Sequence, residues 1–294
     1  MNALPDATGG PSASAVAELV ALARSCALRA GDLVRAERPD RPQVAATKSS
    51  PTDVVTAMDR AVEELLKDLL LRARPEDGLL GEEDGGRPGT SGVTWVLDPV
   101  DGTVNYLYGL PSYAVSVAAV LGNPSVPGQW TPVAGCVHNP QTRETWTAGA
   151  GLGAELDGRP LRVQDPPRLS ACLVATGFGY RKDRRASQAR VLADLLPRVR
   201  DVRRLGCASI DLCMVASGRV DGYYERGLNP WDIAAGMLVA SEAGAAVRGL
   251  RGCPAGPRFV LAAAEPLCGQ LAACLEDLGA DGDGGGAGDG TDAS

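Results

Sequence analysis

Trp95-Val96-Leu97-Asp98-Pro99-Val100-Asp101-Gly102-Thr103-Val104-Asn105 is the stretch on which the reading of this 294-residue chain turns. An apolar run of strand character ends in an acid, turns at Pro99, presents a second acid and enters Gly-Thr. Gly102 lets backbone approach a ligand closely, and amides that point outward where a helix begins favour phosphate oxygens. A hydroxyl at Thr103 beside carboxylates can accept a proton from water and pass it on. Taken alone, the segment also reads as an ordinary Asp-Gly turn.

Two further acidic stretches change the weight of the first. Gly81-Glu82-Glu83-Asp84-Gly85-Gly86 sets three acids between glycines, and Asn229-Pro230-Trp231-Asp232-Ile233-Ala234-Ala235-Gly236 places an acid at the start of an apolar helix. Singly, they read as an exposed turn and a helix N-cap. Together, Asp98 at the end of an apolar strand and Asp232 between Trp231 and Ile233 are acids set against a core, with no Lys or Arg adjacent. Buried acids need a partner. Carboxylates about 4 Å apart repel by about 4 kcal/mol at an effective dielectric of about 20. Cations relieve that repulsion, and oxygen ligands without His or Cys favour hard ions, Mg²⁺ first. Metal ions, a phosphate cradle and a water-activating hydroxyl describe phosphate-ester hydrolysis. No GxxxxGK[ST] motif supports P-loop chemistry.

Composition removes other classes. Lys and Arg total 29 against 36 Asp and Glu, a net charge of −7. Asp6, Asp281, Asp283, Asp289 and Asp292 lie in tails without a base, so the body is near balance and a poor electrostatic partner for nucleic acid or an anionic membrane. No apolar run reaches the roughly 18 residues of a membrane span. The apolar stretch 15–28 is broken by Glu18 and Arg24 and reads as an amphipathic helix rather than a signal-peptide core. The eight cysteines show no CxxC pair and read as small buried hydrophobes in a reducing cytoplasm. His138, the single histidine, would have to carry any Ser-His or Cys-His mechanism alone.

Residues 1–12 and 281–294 are Gly/Ala/Asp/Ser-rich and read as disordered tails around a catalytic domain over 13–280. Helical patterns run over 14–36 and 54–73, the second opened by Asp53 with Glu63 and Glu64 on its polar face. Strands are expected over 93–98, 113–121, 131–138, 143–148, 171–176, 220–225 and 258–264, and helices over 185–197, 207–218, 231–243 and 266–278. Helix pairs flanking mixed strands indicate a layered α/β or α+β fold.

These segments resemble the inositol monophosphatase family of Mg²⁺-dependent, lithium-sensitive sugar phosphatases, over about residues 14–275. Lys48-Ser49-Ser50-Pro51-Thr52-Asp53-Val54-Val55-Thr56-Ala57-Met58-Asp59 resembles its K-S-x-x-D-x-V-T-x-x-D motif, and Gly81-Glu82-Glu83 its G-E-E loop. The stretch 95–105 matches W-x-x-D-P-x-D-G-T-x-N, and Trp231-Asp232 through Glu242-Ala243-Gly244 matches W-D-x-A-A-G…E-A-G. Stretches at 176–180, 202–206 and 211–218 look most like its bacterial inositol-1-monophosphatase branch.

The resemblance implies an αβαβα layered sandwich. It implies that Glu82, Asp98 and the Val100 carbonyl hold one Mg²⁺ and that Asp98, Asp101 and Asp232 hold a second, a third leaning on Glu82. Glu82 and Thr103 would activate water, Asp59 would orient Thr103, and the Gly102 and Thr103 amides would hold phosphate. Lys48 falls in the family's mobile metal loop. Gly206, Cys207, Ala208 and Glu225 match ring-contacting positions, with Asp101 touching a hydroxyl; Cys207 departs from the commoner Ser or Thr. The family is usually dimeric, which would put Arg203 and Arg204 near a subunit contact. Arg181, Lys182, Arg184 and Arg185 read as a solvated helix start. The expected activity is hydrolysis of myo-inositol monophosphate. Histidinol phosphate, fructose 1,6-bisphosphate and 3′-phosphoadenosine 5′-phosphate are the alternatives, followed by a non-catalytic partner-binding relative.

Overall fold

Val16, Leu19, Ala23, Cys26, Ala27, Ala30 and Val34 are all buried and recur every three or four residues, so helix α1 (Ala13–Ala36) presents one apolar stripe. The computed structural model describes residues 11–39, 43–47 and 54–282; Lys48 and Asp53 lie outside them, as does most of each tail. At the inner edges of the tails, Ser12 caps α1 and Asp281 pairs with Arg251.

Two short antiparallel strands, β1 (Ala46–Thr47) and β2 (Val54–Val55), precede helix α2 (Ala57–Ala73). The helix starts later than the expected residue 54 because Thr56 and Asp59 form a reciprocal capping box. There follow β3 (Gly78–Gly81), β4 (Gly86–Arg87), β5 (Val93–Asp101), the short helix α3 (Thr103–Tyr108), β6 (Ala114–Gly122) and β7 (Trp130–His138). Next come β8 (Thr145–Gly149), β9 (Gly153–Leu156) and β10 (Arg159–Pro160). The second half comprises β11 (Leu173–Thr176), α4 (Lys182–Leu195), β12 (Asp201–Arg203), α5 (Ala208–Ala216), β13 (Gly222–Glu225) and α6 (Pro230–Glu242). It closes with β14 (Ala246–Arg248), β15 (Val260–Ala263) and α7 (Leu267–Asp277).

Eight strands pair in the order β10-β9-β8-β7-β6-β5-β3-β4, and five in the order β12-β11-β13-β15-β14. Helices α1 and α2 cover one face of the larger sheet, and α5 and α6 cover the other. The same α5–α6 pair packs on the smaller sheet, whose far face is closed by α4 and α7. The result is the expected αβαβα sandwich. Alternation is visible in single strands: Tyr223 and Ala262 face α5 and α6, whereas Tyr224 and Leu261 face α4 and α7. Trp95 is wholly buried in β5 and donates its indole N–H to Asp77 at 2.9 Å, fixing the strand against the core.

His138 is buried in β7, its Nδ1 2.9 Å from the Thr145 hydroxyl, and packs against α1. Seven cysteines are buried; Cys253 is exposed and departs from the expectation. A Cβ at Gly31 of α1 would stand 2.3 Å from His138 Cδ2. Gly31→Ala is therefore expected to destabilise the fold by about 1–3 kcal/mol through overpacking. Urea denaturation checks this, and an unchanged midpoint would contradict the packing described.

Candidate functional site

An extra residue in β5 builds the site. Asp98 pairs with Ser116 of β6 and Asp101 with Ala114, so three steps on one strand oppose two on the other. Strict alternation would send Asp98 and Asp101 to opposite faces; the bulge at Pro99–Val100 restores them to one. Packing agrees: Leu97 and Val100 face α1 and α2, while Val96 faces α5 and α6. Pro99 has no N–H to lose from the ladder, and the Val100 N–H donates to Asp98 Oδ1 at 3.1 Å.

The other acids arrive from separate elements. Glu82 follows β3, which runs parallel to β5, and Asp232 sits in the first turn of α6. Asp232 Oδ2 accepts the Asn229 N–H at 2.6 Å, completing a capping box with Pro230 at the helix start. Asp101 Oδ2 accepts from the Ser209 N–H at 2.7 Å and the Ser209 hydroxyl at 2.6 Å, so it caps α5 from outside. Two helix N-termini therefore point at the acidic end, where their dipoles offset negative charge.

Thr103 donates towards Asp59 Oδ1 at 3.1 Å and the Val100 carbonyl at 3.0 Å. Asp59 is wholly buried in α2, so one acid ties the capping box of that helix to the cleft. Gly102 adopts φ +88°, and a Cβ there would meet the Ser112 carbonyl at 2.9 Å and the Gly206 carbonyl at 3.1 Å. Asn105 Nδ2 donates to the carbonyls of Ser112 at 2.6 Å and Leu205 at 2.8 Å, binding the loop before α5 to α3.

Glu82, Asp98, Val100, Asp101, Gly102, Thr103, Gly206, Ala208, Glu225 and Asp232 line one cleft of about 360 Å³. Asp59 stands behind Thr103. Cys207 is buried, and its Sγ lies 3.1 Å from Asp101 Oδ2 outside the cleft wall. Burial, then repulsion from Asp101, pushes its thiol well up, so it is no thiolate nucleophile.

Burial first, then repulsion from Glu82, Asp101 and Asp232, holds the Asp98 carboxyl well above the usual range, and a hydrogen bond with Glu82 adds to the shift. Asp232 is pushed well up by burial and by Glu82 and Asp101. Burial raises Asp101 against the lowering hydrogen bonds from Ser209. Among the described residues no group of three or more His, Cys, Asp or Glu side chains is placed to hold a metal ion. The donor chemistry nevertheless fits a hard divalent cation: oxygen-only carboxylates that disfavour one another's charge in one cleft.

At the other end, burial pushes Glu225 up to about 7 against the lowering hydrogen bond from Tyr223. It fills the space left by Gly177, where a Cβ would stand 1.9 Å from Oε2.

Several supporting residues escape a sequence reading. Glu63, expected on a polar face, is wholly buried and accepts the N–H groups of Glu83 at 2.8 Å and Asp84 at 3.0 Å, while Lys67 Nζ approaches at 2.6 Å. Gly81 permits this, since a Cβ there would collide with Glu63 Oε1 at 2.4 Å. The available signal is spacing: Asp59 and Glu63 are four apart on one helix face. Ser209 restores, two residues on, the oxygen donor that Cys207 lacks. Lys182 and Arg185 are exposed as expected of a solvated helix start, but Arg181 and Arg184 line the cleft.

Asp98→Asn removes a repelling charge and keeps the acceptor for the Val100 amide. In chelator at pH 8, its melting temperature is expected to rise by about 2–4 °C per kcal/mol of repulsion removed. Scanning calorimetry checks this; a fall would contradict the mutual repulsion.

The inositol monophosphatase family pattern matches residues 15–280. Inositol-1-monophosphatase SuhB of Mycobacterium tuberculosis (strain ATCC 25618 / H37Rv) is 44% identical over 279 residues, covering 88% of this chain and 94% of that one. Nus factor SuhB of Pasteurella multocida (strain Pm70) is 35% identical over 269 residues, covering 87% and 96%. Among solved structures, Mycobacterium tuberculosis SuhB superposes with TM-score 0.74 at 42% identity, covering 89% and 97%. The extragenic suppressor protein suhB of Bartonella henselae superposes with TM-score 0.80 at 32% identity, covering 88% and 98%. With its five layers and the carboxylate cleft on the β5 bulge, the chain belongs to the inositol monophosphatase family, with relatives named for a phosphoric monoester hydrolase.

Proposed function

We propose that this protein is a Mg²⁺-dependent phosphomonoesterase that hydrolyses a myo-inositol monophosphate by direct attack of water, without a phosphoenzyme. The observation that carries the reading is the convergence of Glu82, Asp98, Asp101 and Asp232 beside the Gly102-Thr103 turn in one cleft. Those four side chains and the Val100 carbonyl would hold the cation. Bound there, Mg²⁺ supplies polarisation of phosphoryl oxygens and acidification of water.

The residues of the chain do the rest. Thr103 has one hydroxyl proton and two acceptors in reach, Asp59 and the Val100 carbonyl, so its lone pairs can orient the attacking water. Asp59 orients that hydroxyl by accepting from it, and Glu82 acts with Thr103 to activate the water. The amides of Gly102 and Thr103 bind phosphate oxygens. Asp101, Gly206, Ala208 and Glu225 receive the ring hydroxyls, a carboxylate being able to accept from two at once. Cys207 acts on the ring through Asp101. A homodimer, lithium inhibition, a cytoplasmic location and a catalytic domain over 13–280 belong to the same reading.

Relatives named Nus factor SuhB raise a role in transcription. A net charge of −7 gives this chain no long-range attraction to nucleic acid, so catalysis stands first. Among the described residues no helix is long and apolar enough to cross a membrane.

Phosphate release from inositol 1-phosphate, histidinol phosphate, fructose 1,6-bisphosphate and 3′-phosphoadenosine 5′-phosphate, with and without Mg²⁺, tests the reading. Mg²⁺-dependent turnover of inositol 1-phosphate is expected; silence on every ester, with the protein folded, would overturn it. Thr103→Val is expected to lower kcat by at least about a hundredfold, with KM within about threefold of wild type. Steady-state kinetics checks this, and unchanged kcat would remove Thr103 from the water-orienting role.

A further inference from the structure

Helix α5 begins without a cap of its own. Its N-cap residue is Cys207, whose side chain makes no capping hydrogen bond, whereas helix starts ordinarily take a side-chain oxygen there. The acceptor comes instead from β5. Asp101 Oδ2 receives the Ser209 N–H at 2.7 Å, the Ser209 hydroxyl at 2.6 Å and the Cys207 thiol at 3.1 Å. The Ala208 N–H bonds the same carboxyl. All three side chains are buried, Ser209 wholly so, and Cys207 Sγ lies 3.6 Å from Ser209 Oγ.

The two side-chain donors are unequal. A thiol donates weakly, whereas a hydroxyl on a carboxylate makes a short, strong hydrogen bond. Ser209 is therefore the side chain that holds Asp101. Three donors on Oδ2 use up its lone pairs, which leaves Oδ1 for the cleft that Asp101 lines. The seat is also tight. A Cβ at Gly102, the residue after Asp101, would stand 3.1 Å from the Gly206 carbonyl and 3.3 Å from Cys207 Cβ.

Asp98 and Asp232 show the same arrangement through the main chain. Asp98 Oδ1 accepts the Val100 N–H at 3.1 Å, and Asp232 Oδ2 accepts the Asn229 N–H at 2.6 Å, so each also has one oxygen tied to the fold. Acids that each offer a single oxygen suit a small ion of octahedral geometry. Ca²⁺ is larger, takes about six to eight oxygens and readily engages both oxygens of one carboxylate. We infer that Ser209 is a positioning residue for the cation: by fixing Asp101 Oδ2 to the start of α5 it makes Asp101 a one-oxygen ligand and biases the site towards a small octahedral ion over Ca²⁺. The inference rests on the Mg²⁺-dependent reading of the same cleft.

Calorimetric titration of the metal-free full chain with Mn²⁺ and, separately, with Ca²⁺ tests it without any turnover. In Ser209→Ala the Mn²⁺ dissociation constant is expected to rise by about tenfold and the Ca²⁺ constant by no more than about threefold, because Oδ2 becomes open to the larger ion. Adding Cys207→Ser to that variant returns a hydroxyl to the same oxygen, and is expected to bring the Mn²⁺ constant back to within about threefold of wild type. Should Ser209→Ala fail to fold, Ser209→Cys, which puts a weak donor of similar shape in place of the hydroxyl, carries the same comparison. Equal weakening for both ions, no change for either, or no recovery with Cys207→Ser overturns the positioning role and leaves the phosphatase reading intact. A wild-type chain that takes up neither ion removes both.

Discussion

One inserted residue in a nine-residue strand governs this molecule. Because side chains alternate along β5, Asp98 and Asp101 would face opposite layers in a regular ladder. The bulge at Pro99–Val100 turns both towards α5 and α6, while Leu97 and Val100 stay in the seam with α1 and α2. The core thus holds the strand on both sides of the irregularity, and the acids gain a common direction without loss of packing. Pro99 and the Asp98–Val100 contact settle the hydrogen bonds that the bulge would otherwise leave open.

The second governing interaction is repulsion, and the fold contains it by capping. Asp101 is held by Ser209 at the start of α5, Asp232 by Asn229 at the start of α6, and Asp59 by Thr56 at the start of α2. Each acid completes a helix terminus; Asp101 and Asp232 line the cleft, and Asp59 reaches it through Thr103. The carboxylates that would carry the proposed chemistry therefore also cap helices, and α5 and α6 between the two sheets serve as both core and electrostatic support. Glu63 does the corresponding work for Glu82 by holding the amides of the next two residues.

Much of this was legible before any coordinates. The order of the acidic motifs carries the family resemblance, hence the layers, and the long periodic elements lie close to where the sequence puts them. What was missing is non-local. The common direction of Asp98 and Asp101 depends on register with β6, which no local pattern encodes. Glu63 looks solvent-facing as a residue type, yet the 82–84 loop folds over it. β3, β9, β12 and β14 are three or four residues long, too short for periodicity to identify. Arg184 read as part of a solvated basic run because the glycines that seat its guanidinium, Gly179 and Gly227, lie on other segments.

The central proposal is that Asp98 and Asp101, turned to one side by the β5 bulge, form a divalent-cation site with Glu82 and Asp232. The most direct test is an anomalous difference map from crystals of the full chain equilibrated with Mn²⁺ in place of Mg²⁺. Peaks enclosed by these four side chains and the Val100 carbonyl are the predicted result. An empty cleft at saturating Mn²⁺, or peaks only elsewhere on the surface, would contradict it.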